Sequence, residues 1–360
     1  MKRVWYCCVQ LVVLLTAVCT LVTSTAMAAG QTFPTDAIYY ISSRDGHYRI
    51  YATDLNHQIT RKLHNQPAGN EIALSPDGSR IAFTGWNQRT PTLFIMDWNG
   101  KHVTAITQSA SQRISHPLWS PDSRQLAFTA YNNRRVEIHV MQADGSGQRA
   151  LPIEQSEVDK ELLAWSPDGQ RIAFRNRNYL HAAVQVIAVD GNQPALAVTD
   201  ALAATWAQWS PDGRRVAYVT ASRLTNTREV YMQDAACFQS ASQHPCSLTP
   251  LNINETAIGF YDQALWSPDN RYLLLYSGRT RLPGNHHIYV ADIDSQEWRR
   301  LTNNNDEEFM PAWSPSGQHV AYVTDGLIGS PKLYIAALDG HAAPIRNDIY
   351  SYYSPEWWPG

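Results

Sequence analysis

Trp165-Ser166-Pro167-Asp168-Gly169 is one statement of a turn that this chain of 360 residues makes six times. The serine recurs as Ser75, Ser120, Ser166, Ser210, Ser267 and Ser314, at intervals of 45, 46, 44, 57 and 47 residues. Trp119, Trp165, Trp209, Trp266 and Trp313 precede it in five copies, and Leu74 takes that place in the first. The fourth position is Gly78, Gly169, Gly213 or Gly317, but Ser123 and Asn270 in two copies, and Ser316 replaces the aspartate of the last. Proline presets φ at the first corner, aspartate bonds the local backbone, and glycine accepts the positive φ that closes the turn. A period near 45 residues holds four short strands and their turns, the size of one propeller blade.

The surroundings of each turn fit that unit. An alternating strand follows it (Arg80-Ile81-Ala82-Phe83-Thr84), then a second (Leu93-Phe94-Ile95-Met96), then an Asp-Gly hairpin turn such as Asp144-Gly145 or Asp339-Gly340. No helical period is found downstream of the leader. Residues Ala37 to Leu63 hold three strands and lack the innermost one, while Pro355-Glu356-Trp357 repeats the pattern of Pro311-Ala312-Trp313. The C-terminal strand is therefore expected to complete the N-terminal blade, which removes open sheet edges. The expected fold is all-β: a seven-bladed β-propeller of four-stranded blades, closed by the N- and C-terminal strands in one composite blade. A six-bladed ring with irregular ends is the alternative.

Composition agrees with a folded, exported chain. Hydrophobic residues make up 44% and charged residues 17%, and the net charge is −3, which gives no reason to expect nucleic-acid binding. Lys2 and Arg3, the apolar run Val9 to Val22 and the small residues Ala26-Met27-Ala28 are laid out as a signal peptide over 1–28. The run is short for a bilayer span, so no membrane span is expected after cleavage, and the propeller is assigned to 33–360 as a single domain. A membrane anchor and a lipoprotein modified at Cys19 are the competing readings. Past the leader only Cys237 and Cys246 remain. In an oxidising compartment they read as a disulfide pinning the enlarged hairpin Asp234 to Ser247, which accounts for the 57-residue interval. His244 is the one neighbour that could join them around a metal, too few for a tetrahedral set.

The Trp-Ser-Pro-Asp-Gly turn followed by an Ile-Ala-Phe type strand resembles the TolB-like, WD40-like (PD40) propeller repeats, over nearly the whole of 33–360. The resemblance implies the propeller fold and a periplasmic or secreted location. TolB itself carries an α/β domain ahead of its propeller, which is not expected here, so a role in the Tol–Pal envelope system is analogy. Prolyl-oligopeptidase-type peptidases use similar repeats but add a hydrolase domain, which is likewise not expected. Fold leaves function open.

No Gly-x-Ser-x-Gly elbow, His-Glu-x-x-His or phosphate loop occurs. The repeated aspartates read as turn-formers and the tryptophans as packing between blades. Some seven-bladed lyases acting on oligogalacturonates hold a metal with histidines at the propeller face; here His116 and His286-His287 share no ligand spacing, and no metal or cofactor is assigned. In an up-and-down blade the Ser-Pro-Asp and Asp-Gly turns share one face, which leaves mid-blade and inter-blade loops on the other. That loop face is expected to carry recognition, through Trp86, Arg89, Tyr131, Arg134, Arg135, Arg175, Arg177, Tyr179, Arg279 and Arg281, residue types that supply binding hot spots. Acids in the inter-blade loops, among them Glu154, Glu157, Asp159, Asp306 and Glu307, are expected nearer the channel, where Arg–Glu pairing between blades is the plain structural account. The leading expectation is a non-catalytic scaffold that binds an envelope protein or polysaccharide. The alternative is a lyase or hydrolase of acidic sugars at the channel mouth, with His116, Glu161, Asp262 and Glu308, read as lying just ahead of innermost strands, as its acid–base candidates.

Overall fold

A computed structural model describes residues 37–55, 59–65, 68–107, 113–132, 135–153, 159–178, 181–192, 195–197, 203–221, 228–238, 249–250, 260–278, 286–302, 307–325, 332–346 and 352–357. The leader, Arg134, Tyr179, Arg279, Arg281, Cys246, Glu154, Glu157 and Asp306 lie outside these residues.

The first blade begins with β1 (Ala37–Ser42), β2 (Arg49–Asp54) and β3 (Ile59–Lys62). The second holds β4 (Ala68–Leu74), β5 (Arg80–Asn87), β6 (Thr90–Asp97) and β7 (Thr104–Ala105). The third holds β8 (Arg113–Trp119), β9 (Gln125–Asn132), β10 (Arg135–Gln142) and β11 (Arg149–Ala150). The fourth holds β12 (Asp159–Trp165), β13 (Arg171–Asn178), β14 (His181–Ala188) and β15 (Leu196–Ala197). The fifth holds β16 (Ala203–Trp209), β17 (Arg215–Ala221), β18 (Arg228–Asp234) and β19 (Thr249–Pro250). The sixth holds β20 (Phe260–Trp266), β21 (Tyr272–Gly278), β22 (His286–Asp292) and β23 (Trp298–Arg300). The seventh holds β24 (Glu307–Trp313), β25 (His319–Asp325), β26 (Lys332–Ala337) and β27 (Ala342–Arg346). Finally β28 (Tyr352–Trp357) pairs antiparallel with β1, matching Ile38 to Trp357 and Ile41 to Tyr353. The ring thus has seven four-stranded blades and closes through a composite one, as the two ends of the chain imply. Among the described residues the one helical piece is a single 3-10 turn, Ala235–Phe238, in the enlarged hairpin of the fifth blade, where no helical pattern was expected.

The repeat explains the packing. In the fourth blade the Gly169 amide donates to Ser166 O at 2.8 Å, and Arg171 N donates to Ser166 Oγ at 2.9 Å. Burial would raise the Asp77 pKa, but hydrogen bonds from Ser75 and Ser79 outweigh it and hold this carboxyl below its ordinary range, as a turn-forming role requires. Trp119, Trp165, Trp266, Trp313 and Trp357 reach sideways: Trp119 Nε1 donates to Ala73 O at 2.9 Å, Trp313 Nε1 to Leu265 O at 3.0 Å and Trp357 Nε1 to Ala312 O at 3.1 Å. Buried indoles therefore stitch an innermost strand to its predecessor while filling the inter-blade layers.

The two turns without glycine are ties of another kind. Ser123 and Asn270 keep positive φ (60° and 63°). Ser123 Oγ accepts from Asp77 N at 3.0 Å, and Asn270 Oδ1 accepts from Asp212 N at 2.9 Å, each reaching the turn of the preceding blade.

Candidate functional site

Three regions concentrate polar groups: the channel wall, the loop face and the tight-turn face. The innermost strands form the wall, and each carries a register shift, for example between Ser115 and Leu118 or between Phe309 and Ala312. Such bulges re-aim side chains. At two of them the backbone is left-handed on residues with a Cβ, His116 (φ 56°) and Met310 (φ 53°).

His116 is half-buried, and its amide donates to Glu71 Oε2 at 2.6 Å. Its Nδ1 lies 3.1 Å from Thr129 Oγ1, whose hydroxyl donates to Ser115 O at 2.9 Å. With that proton committed, Nδ1 is the donor in this contact. Glu71, His116, Leu162 and Glu356 line a cavity of about 20 Å³, room for a water molecule. Glu356 is buried, accepts from Leu74 N at 2.6 Å, and is pushed up to about 8 by desolvation, which the Leu74 hydrogen bond only partly offsets. Leu74 stands where the other repeats have tryptophan, so this carboxyl supplies a tie across the junction where the repeat's tryptophan is missing. Gln208 occupies the same place in the fifth blade and accepts from Trp266 N at 3.0 Å. Sequence reasoning missed Glu71 and Glu356. The available signal for Glu356 was its place two residues before the serine position, a column that holds Ala or Leu in every copy but that of Gln208.

Of the other acids expected near the channel, Asp159, Glu161, Asp262, Glu307 and Glu308 lie within innermost strands rather than ahead of them, because those strands begin earlier in the chain than the polar composition suggested. Glu161, in β12, ion-pairs with Arg175 directly across in β13, both buried. Arg175, expected on the open loop face, is therefore inside its own blade, and the pair is formed within a blade rather than between blades. Glu308, in β24, is fully buried and accepts from Ile288 N at 3.0 Å and from the Thr302 hydroxyl. His287 Nδ1 lies 4.0 Å from Glu308 Oε2. Asp262 and Arg177 lie in β20 and β13, described by backbone alone. The structure brings Glu161 to Arg175, and His116 to Glu71; among the described side chains it does not bring His116, Glu161 and Glu308 into one site.

On the loop face the described connection between β5 and β6 is a tight hairpin. Trp86 and Asn87 end β5, leaving Gln88-Arg89 as the turn, and Tyr131 lies within β9. Trp86 is 55% exposed, Arg89 and Arg135 are exposed, and Tyr131 is half-buried. Tyr48, 39% exposed, belongs to the same surface: its carbonyl accepts from Ala68 N at 3.0 Å, and Ala68 pairs with Gly85 beside Trp86.

The tight-turn face, expected to offer little variation, holds two clefts between blades. One, of about 390 Å³, lies between the Ser166 and Ser210 turns. The other, of about 670 Å³, opens beside Trp298 and Leu338. Cys237 is half-buried in the 3-10 turn. Among the described residues no helix is long and apolar enough to cross a membrane, and no three metal-ligating side chains converge.

Comparison with known proteins adds the following. The profile of PD40, the TolB beta propeller domain, matches residues 23–206, 71–253 and 176–360. A Tol-Pal system protein TolB of Desulfosudis oleivorans is 34% identical over 77 residues, 21% of this chain, and the matched stretch spans 17% of that relative's length. TolB from Acinetobacter baumannii superposes with a TM-score of 0.54 at 18% identity, covering 86% of this chain and 78% of that one. An oligogalacturonate lyase in complex with manganese superposes with a TM-score of 0.67 at 16% identity, covering 84% and 86%. At such identities the two solved structures speak for fold alone.

Proposed function

Since the chain belongs to the TolB beta propeller domain family, we propose that it is an exported, non-catalytic ring that binds an envelope protein or polysaccharide through its loop face. Residues 1–28 direct export in this reading, and Cys237 and Cys246 pair to hold the enlarged hairpin of the fifth blade. The observation that carries it is the β5–β6 hairpin of the second blade: Trp86, the most exposed of the large hydrophobic side chains described, stands beside Arg89 at its tip. An indole held in water on a rigid strand end, with a guanidinium next to it, is a ready anchor for a partner. By contrast, Glu161 and Glu308 are engaged in structural bonds. Joint replacement of Trp86, Arg89 and Arg135 by alanine should lower capture of a crosslinked envelope partner at least about tenfold with the melting curve unchanged. Equal capture by that variant refutes the face assignment.

One observation favours a second reading, an enzyme acting on acidic sugars. His116 and Glu356, a carboxyl raised to about 8, line the same cavity, and an imidazole beside a protonated carboxyl is a pairing that general acid–base catalysis uses. A polyuronate degradation screen with metal analysis of the purified protein separates the readings. Product formation lost in His116→Ala supports the enzyme; no product supports the binding ring.

A further inference from the structure

We infer a second binding site, for a neutral saccharide of one or two rings, in the cleft between the sixth and seventh blades on the tight-turn face. It lies on the face opposite the loops and stands or falls independently of them.

The cleft arises from a departure in the repeat. In the second, third and seventh blades the turn after the third strand closes over five residues, with Asp97 N donating to Lys101 O, Gln142 N to Ser146 O and Ala337 N to His341 O, each at 2.9 Å. In the sixth blade Asp292 N donates to Glu297 O at 2.8 Å, so this turn is one residue longer. Gln296 (φ 57°) takes the positive φ that Gly100, Gly145 and Gly340 take elsewhere. Those glycines press on the end of the preceding blade. A Cβ on Gly100 would fall 2.1 Å from Leu63 O, and one on Gly145 would fall 2.8 Å from Ile106 O. At the junction of the sixth and seventh blades the same contact relaxes: a Cβ on Gly340 would stand 3.6 Å from Leu301 O. The longer turn and the loosened contact flank the cleft of about 670 Å³, within the usual range for small-ligand sites.

Its chemistry selects the ligand. Trp298 and Tyr272 are half-buried in its wall, and Trp298 is braced by the tilted ring of Tyr289, ring centroids 5.4 Å apart. Arg271 lies over the Tyr272 ring, 5.0 Å from its centroid, so Trp298 is the ring that offers its electron-rich face to the weakly positive C–H face of a pyranose. Ser295, Gln296, Glu297 and Arg299 are exposed around them and present planar donors and acceptors suited to neighbouring hydroxyls. The charges offset in number: Asp292 is held by Arg271 at 3.0 Å, and the lining adds one further acid, Glu297, and one base, Arg299. A wall with both signs and no excess favours an uncharged polyhydroxylated ligand over a uronate or a cation.

Titration calorimetry and protein-observed NMR with maltose, cellobiose, diacetylchitobiose and digalacturonate test this on the mature protein. At least one neutral disaccharide should bind with a Kd of about 1 mM or tighter. Arg299→Ala, an exposed change, and Trp298→Phe, which keeps a ring against Tyr289, should each weaken it at least about fivefold, while Trp86→Ala leaves it unchanged. The proposal is overturned if no neutral disaccharide binds more tightly than about 10 mM, if digalacturonate binds in preference, or if both cleft variants bind like the parent.

Discussion

Glu356→Gln should make this protein more stable in alkali and leave it nearly unchanged in acid. Glu356 sits on the closing strand β28 and its carboxyl accepts from Leu74 N, bridging the first blade to the second. Burial raises its pKa from 4.5 to about 8, so the folded state holds a proton that the unfolded state releases earlier. The stability tied to that proton is fully present below 4.5 and is lost as pH climbs to about 8, where a carboxylate must form in the interior. The span corresponds to a ceiling on the order of 4–5 kcal/mol, or roughly 8–10 °C at about 2 °C per kcal/mol for a domain of this size. Glutamine has no such proton and keeps the acceptor. The fold already contains the intended geometry, since Gln208 makes the equivalent bond to Trp266 N. Calorimetric melts of parent and variant at pH 5, 7 and 9 should coincide within about 2 °C at the first and separate by several degrees at the last. A gap that stays constant across the three values would refute the reasoning. Glu356→Leu, which follows the pattern of Leu118 and Leu265, orphans the Leu74 amide and should lose about 1–3 kcal/mol even in acid.

A chain lacking Tyr352–Gly360 loses β28 and the bond from Trp357 Nε1 to Ala312 O; its thermal melt should lose cooperativity, and a melt like the parent's would overturn ring closure. Arg175→Ala removes the cation beside buried Glu161 and should destabilise by about 3 kcal/mol, with Glu161→Leu plus Arg175→Met recovering most of it in denaturant titrations. Among glycines, Gly46→Ala meets nothing within 4 Å and carries only its positive φ, about 1 kcal/mol, whereas Gly100→Ala drives a Cβ to 2.1 Å from Leu63 O and should lose about 3 kcal/mol or more. Equal melting temperatures for those two would remove the case for tight packing at this junction.

The architecture was legible because each blade restates it. Trp119, Trp165, Trp266 and Trp313 donate from equivalent positions to the preceding innermost strand, and one physical solution repeated six times leaves its spacing in the sequence. Loop placement was less legible. Runs such as Trp86-Asn87-Gln88-Arg89 and Glu307-Glu308 look like loops because they are polar, yet their backbones belong largely to strands. Strand ends at the rim can be polar on the solvent side, and a buried Glu308 can be satisfied by Ile288 N and Thr302; composition does not distinguish these cases from a true loop. Arg175 misled in the same way: its partner, Glu161, lies fourteen residues earlier in the chain but directly opposite in the sheet.

In a ring built from copies, information about function resides where copies differ, and the differences fall into two kinds. Some are compensated. Leu74 gives up an indole and Glu356 restores a tie across the same junction; Ser123 and Asn270 give up glycine's freedom and gain a bond to the neighbouring turn. Each such pair returns the structure to the common pattern and requires no ligand to explain it. The turn of the sixth blade differs in kind. It adds a residue, places Gln296 at positive φ and is met by no closer packing on the facing blade, where Gly340 stands back from Leu301. A departure that leaves space, lined by Trp298 and balanced charge, has no structural return of its own. That asymmetry between compensated and uncompensated departures sets the cleft beside Trp298 apart from the buried acids of the channel wall.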